Sequence, residues 1–207
     1  MSAEALTHPV QRGPARPHER TMGELAMWLF IATEATLFAL LFFSYIYLAL
    51  SQPHWPIGED PEYGLALILA GILIVSSVTA WWAEHALKTS NSTLQLKIGL
   101  GVTLLLGAAF IGVQFMEYLN DLDTLHPRDN SYGSIFYTIV SFHFMHVVVG
   151  WLMLWFAFIR SLAGHFSKER HLAVKNITNY WHFVDLIWLF VVAIVFIAPQ
   201  FYGPPTP

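Results

Sequence analysis

Five ionisable side chains lie inside apolar stretches where a charge is expensive: Glu34, His143, His146, His182 and Asp185. Glu34 stands fourteen residues beyond Arg20, which sets it roughly 20 Å along a helix and deep in hydrocarbon if that stretch crosses a bilayer. At that depth an acid costs several kcal/mol unless it faces protein or water. It is therefore either hydrogen-bonded between helices or used to handle protons or to gate. His143 and His146 are three apart and share a helix face; His182 and Asp185 repeat the spacing. Antiparallel packing is expected to bring the two pairs together. Such a set could ligate a haem or a metal, but two His at i and i+3 define no coordination geometry. An interhelical hydrogen-bond network is the preferred reading, with Asp185 orienting a neighbouring His or Trp. Glu117, between Gln114 and Tyr118, falls near a helix end, where an acid can stay solvated. Glu24 and Glu84 are expected to be hydrated, and His85, His165 and His171 to lie in segments near one membrane surface.

The elements that must position these groups are long and apolar. Of 207 residues, 56% are hydrophobic and 12% charged, too apolar a balance for an ordinary water-soluble domain. Each crossing needs about 20 apolar residues. The stretches predict an all-α integral membrane bundle of five transmembrane helices, at approximately 22–50, 63–87, 94–119, 132–159 and 178–201. Residues 1–21, with Pro9, Pro14 and Pro17, are read as a flexible arm, and 202–207 as a tail. Short loops are expected to make sequential helices antiparallel neighbours. Gly99, Gly101, Gly107 and Gly112 would let the third helix approach others closely.

Nine of the ten Lys and Arg residues fall on one side of such a bundle, and Arg128 alone on the other. Since cytoplasmic loops carry the cationic excess, the amino terminus is expected in the cytoplasm and the carboxyl terminus outside. The net charge of −4 comes mainly from acidic outer loops, and with no basic patch nucleic acid is not an expected partner. The sequence contains no cysteine, which excludes disulfides, thiolate metal sites, covalent c-type haem attachment and thiolate-bridged copper.

Four segments carry a resemblance. Trp28 to Phe38, reading Trp-Leu-Phe-Ile-Ala-Thr-Glu-Ala-Thr-Leu-Phe, resembles the opening core helix of subunit III of the haem-copper oxidases. That family places a buried Glu where Glu34 stands. The likeness continues through Gln114-Phe-Met-Glu117-Tyr118, then Phe142-His143-Phe-Met-His146-Val-Val-Val-Gly150, and then Tyr180-Trp181-His182-Phe183-Val184-Asp185-Leu-Ile-Trp188. All four occur in the family's order. The cytochrome c oxidase branch is the better match, because the quinol oxidase branch usually has Asp at the place of Glu34. A nitric-oxide-reductase accessory homologue is the more distant alternative. Thr33 replaces the usual Ser and keeps a hydroxyl able to bond within its helix. The long form of the family has seven helices, and this chain resembles it from the third onward.

The resemblance implies a non-redox core subunit, with no catalytic, cofactor or metal residue of its own, in an oxidase that moves electrons from cytochrome c to oxygen and pumps protons. Haem and copper are implied in partner subunits, with subunit I in direct contact, subunit II in the same complex, and phospholipid bound. It further implies a bacterial cytoplasmic membrane. Two other classes stay open on the residues alone: an independent proton channel or transporter using Glu34 and the membrane His, and a b-type cytochrome with His143 or His146 as axial ligand.

Overall fold

The computed structural model describes residues 17–57, 63–121 and 126–201. Most of the N-terminal arm, the tail at 202–207 and the acidic residues Glu59, Asp60, Glu62 and Asp123 lie outside the described residues. Five helices follow in order: α1 (Pro17–Ser51), α2 (Tyr63–Ser90), α3 (Thr93–Asp121), α4 (Ser131–Leu162) and α5 (Leu172–Val191). All five are long and apolar enough to cross a membrane. The chain is an all-helical multi-pass bundle, and the described residues contain no named strand.

Local chemistry sets several of the ends. Asn91 adopts φ 52°, a left-handed conformation that Asn tolerates better than most residues, and Ser92 Oγ then accepts from the Gln95 amide at 3.3 Å to start α3. Asn130 caps α4 by accepting from the Gly133 amide at 2.7 Å. The helices overrun the apolar stretches: α1 begins at Pro17, not Met22, and α5 at Leu172, not Thr178. Hydropathy marks only what lipid touches. The polar turn before Thr178 continues as helix because Asn176 Nδ2 donates to the Gly23 carbonyl at 3.1 Å and Lys175 pairs with Glu24 at 2.8 Å.

α5 ends in a π-helical turn (Val192–Ile197) and a 3₁₀ turn (Ala198–Phe201). Pro199 explains the break. It has no N–H to give to the Val195 carbonyl four residues earlier, and the Tyr45 hydroxyl donates to that carbonyl instead, at 3.4 Å. α1 and the last turn are thereby tied together at one end of the bundle, where Tyr45, Trp55 and Tyr132 stack edge to face or tilted.

Sequential neighbours are the rule with one exception. α2 packs on α3, α3 on α4 and α4 on α5, but α1 packs on α4 and α5 rather than on α2. The connection from 52 to 62 is long enough, at about 3.3 Å per residue, to let α5 lie between its two helices. The glycines of α3 also separate. A Cβ at Gly99 would lie 2.6 Å from Ala83 Cβ and 3.0 Å from the Thr79 carbonyl, so α2 and α3 meet backbone to backbone there. Gly101 has room for a Cβ at ordinary contact distance and Gly112 faces open space, so the packing role expected of all four belongs chiefly to Gly99 and Gly107.

Candidate functional site

The buried polar groups form two separate networks instead of one cluster. In the first, Glu34 on α1 meets His146 on α4, with Oε2 and Nε2 3.0 Å apart. The side chains are 21% and 9% exposed, and Phe38 closes the site with its ring 5.0 Å from the imidazole. His146 Nδ1 lies 2.6 Å from the Phe142 carbonyl. A carbonyl only accepts, so Nδ1 carries a proton and donates. The Nε2 contact must then hold one further proton, either on the carboxyl or on the imidazole. The pair is thus built to share a single proton between α1 and α4 while its geometry stays fixed. Thr33 next to it donates within its own helix to the Phe30 carbonyl, at 2.7 Å.

His143 does not join this pair. Residues three apart on a helix differ by about 60° in direction, and that angle sends His146 to α1 and His143 to α5. His143 Nε2 donates to the Val184 carbonyl at 3.2 Å, its ring lies 4.8 Å from that of Trp188, and Phe110 packs edge-on to both. The deeply buried polar atoms His143 Nδ1, Gln114 Oε1 and Trp188 Nε1 make no hydrogen bond among the described residues.

The second network lies between α2 and α5. Ser77 Oγ is 2.8 Å from His182 Nδ1 and donates to Asp185 Oδ2 in a short hydrogen bond. The expected meeting of His182 and Asp185 with His143 and His146 does not occur, since the first pair turns to α2. Nor does Asp185 orient a His or Trp directly; Ser77 stands between it and His182. A serine has one proton to give. When Ser77 gives it to Asp185, His182 Nδ1 must donate to Ser77 and Nε2 is left as an acceptor; with the proton on Asp185 the direction reverses. Just beside this chain, Trp181 Nε1 donates to Ser76 Oγ at 3.0 Å, and Thr79 and Thr103 hydroxyls are 2.8 Å apart across α2 and α3.

The remaining motif residues are mechanical. Gly150 is the slot for the Tyr180–Trp181 pair: a Cβ there would lie 3.0 Å from the Trp181 ring and 3.2 Å from the Tyr180 ring. Tyr118 receives a hydrogen bond from Ser141 at 3.4 Å and stacks edge-on to Tyr137. Glu117 is half-buried near the end of α3. Glu84, expected to be hydrated, is instead buried and ion-paired with Lys88 one turn on, because the ion pair removes the need for water. Ser76, Ser77 and Thr103 escaped the sequence reading. Serine and threonine in a helix usually bond their own carbonyls, so only paired serines at membrane depth hinted at more.

The Glu34–His146 contact makes a direct prediction. In a double-mutant cycle with Glu34→Leu and His146→Leu, the coupling should be about 0.6–1.7 kcal/mol, the scale of interhelical hydrogen bonds in membranes. Reversible unfolding of the purified chain in mixed micelles measures it. A coupling near zero would mean the two groups are independent.

The family model described as Cytochrome c oxidase subunit III matches residues 17–199. Among relatives named cytochrome c oxidase subunit 3, that of Drosophila yakuba is 37% identical over 174 residues, covering 80% of this chain and 65% of the relative. That of Patiria pectinifera is 35% identical over 173 residues with the same coverage, and that of Homo sapiens 34% identical over 193 residues, covering 89% and 69%. The chain thus spans about 65% of the length of the first of these relatives. With Glu34, the His143–Gly150 segment and the Tyr180–Trp188 segment all within the matched range, the chain belongs to the cytochrome c oxidase subunit III family.

Proposed function

We propose that this chain is the non-redox subunit III of an aerobic respiratory oxidase that passes electrons from cytochrome c to oxygen. Its work is to wall and steady the haem- and copper-bearing subunit I, with subunit II in the same complex, and to support proton uptake from the inner side. The observation that carries the reading is the Glu34–His146 bond, which clamps α1 to α4 through a family motif at each end. Haem, copper and the electron route are assigned to the partners, and phospholipid to the apolar outer faces. The membrane is taken to be the bacterial cytoplasmic membrane.

Orientation follows from charge. The turn at Asn91 bonds the Lys168 amide at 2.8 Å, and Lys175 pairs with Glu24, so Lys88, Lys168, Arg170 and Lys175 gather at the same end as the start of α1. We take that end as the cytoplasmic one and the aromatic end around Trp55 as the outer one, a reading that the cationic excess supports.

The wall acts through geometry, holding a neighbour dry and correctly hydrated at its charged entrance. Purified in mild detergent, the chain should travel with a haem- and copper-bearing partner. Glu34→Ala should shorten the number of turnovers before inactivation severalfold, or release the subunit, and leave the haem spectrum of the complex unchanged. Unaltered lifetime together with unaltered assembly would refute the clamp. Ion flux from the isolated chain in liposomes would instead favour a channel.

A further inference from the structure

The core between α3, α4 and α5 holds three polar atoms that no protein group among the described residues serves. Trp188 Nε1 on α5 has a proton to give and meets no acceptor there, while His143 Nδ1 on α4 and Gln114 Oε1 on α3 meet no donor. Trp188, His143 and Gln114 are 1%, 0% and 5% exposed. The Nε2 proton of His143 already goes to the Val184 carbonyl, so the neutral imidazole keeps Nδ1 as an acceptor only. His143 lies about 18 Å along α4 from its start at Ser131. Surface water and lipid headgroups do not reach that depth, and acyl chains offer nothing to hydrogen-bond.

The three groups belong to one place. The His143 and Trp188 rings are 4.8 Å apart, and the Phe110 ring stands edge-on to both, at 6.1 and 5.2 Å. Gln114 follows Phe110 on the same face of α3, one turn on. Long side chains lean toward the amino-terminal end of their helix. Gln114 therefore leans back toward Phe110, and His143, on the antiparallel α4, leans the opposite way to meet it.

One donor and two acceptors define the guest. A cation would face the positive end of the Trp188 N–H, an anion would face two sets of lone pairs, and one imidazole nitrogen with one carboxamide oxygen is too small a ligand set for a metal. Water accepts from one group and donates to two, within the two to four partners that hold a buried water. We propose that an internal water molecule is bound here, accepting from Trp188 Nε1 and donating to His143 Nδ1 and Gln114 Oε1. It ties α3, α4 and α5 through a single molecule and holds His143 in its Nε2–H tautomer. The site is separate from the Glu34–His146 pair, because His143 turns to α5 and not to α1.

The test is solid-state NMR of the full chain in lipid vesicles, with 15N in the imidazole and indole rings. Magnetisation that starts on water should reach both Trp188 Nε1 and His143 Nδ1, and the latter should resonate as an unprotonated nitrogen. Trp181 Nε1 is equally buried but bonded to Ser76 at 3.0 Å, and should receive none. Trp188→Phe should abolish the transfer to His143 Nδ1, and Gln114→Leu should reduce it at both nitrogens. In the unsubstituted chain, no transfer to either nitrogen, transfer to Trp188 alone, or a proton resident on His143 Nδ1 would each overturn the site. Those three readings need neither variant to fold.

Discussion

Trp181→Ala should destabilise the bundle by about 3–5 kcal/mol, the cost of truncating a fully buried large aromatic. The indole is wholly buried and fills the space left by two glycines on different helices, Gly107 of α3 and Gly150 of α4, while its Nε1 reaches Ser76 on α2. One side chain of α5 therefore touches three other helices. The penalty survives in lipid because it comes from lost contacts and a residual cavity, not from exposure to water. Trp181→Phe separates the two contributions: it keeps most of the volume and drops the hydrogen bond, so its cost should be about 1 kcal/mol. Ser76 Oγ still donates to the Leu73 carbonyl at 2.7 Å. Unfolding midpoints in mixed micelles read both variants, and equal costs for Ala and Phe would show that the ring volume is irrelevant.

Gly99→Leu is the second large effect, expected at about 3 kcal/mol or more, at the upper end of what overpacking costs. The neighbours at Gly99 are Ala83 and the Thr79 backbone, which have no flexible side chain to move aside, so relief requires α2 and α3 to separate. That would also strain the Thr79–Thr103 hydroxyl pair one turn on. Gly112→Leu on the same helix meets open space and should lie within about 0.5 kcal/mol of the parent. A similar loss in both would point to glycine's backbone properties in place of close approach.

The contrast between those glycines shows where the sequence is readable. Five apolar stretches separated by Pro, Asn and charged turns announce five membrane helices, because the bilayer constrains length and polarity one segment at a time. That Glu34 must find a partner is equally legible, since desolvation needs no knowledge of the neighbour. Which partner it finds is not. His143 and His146 are indistinguishable by spacing, and the 60° between them decides that only His146 reaches α1. The rotation of α4 about its axis is set by Gly150 receiving Trp181 and Tyr180, a fit between positions thirty residues apart. Ser77 was invisible for the same reason: nothing within α2 distinguishes it from a serine bonding its own helix, and only α5 gives it His182 and Asp185. The ends of α5 fell outside hydropathy altogether, extended at one side by Asn176 and Lys175 and broken at the other by Pro199.

The placement of α1 against α4 and α5 has a consequence for biogenesis. Glu34 is made 112 residues before His146, which at ordinary synthesis rates of 5–20 residues per second is a delay of about 5–20 s. During that interval the nascent span holds its carboxyl group with no imidazole to receive it, and α2 and α3, which arrive first, pair with each other. The first span therefore waits for its clamp until the fourth is made, and substitutions that hasten loss of the unclamped span should lower yield without altering the finished protein.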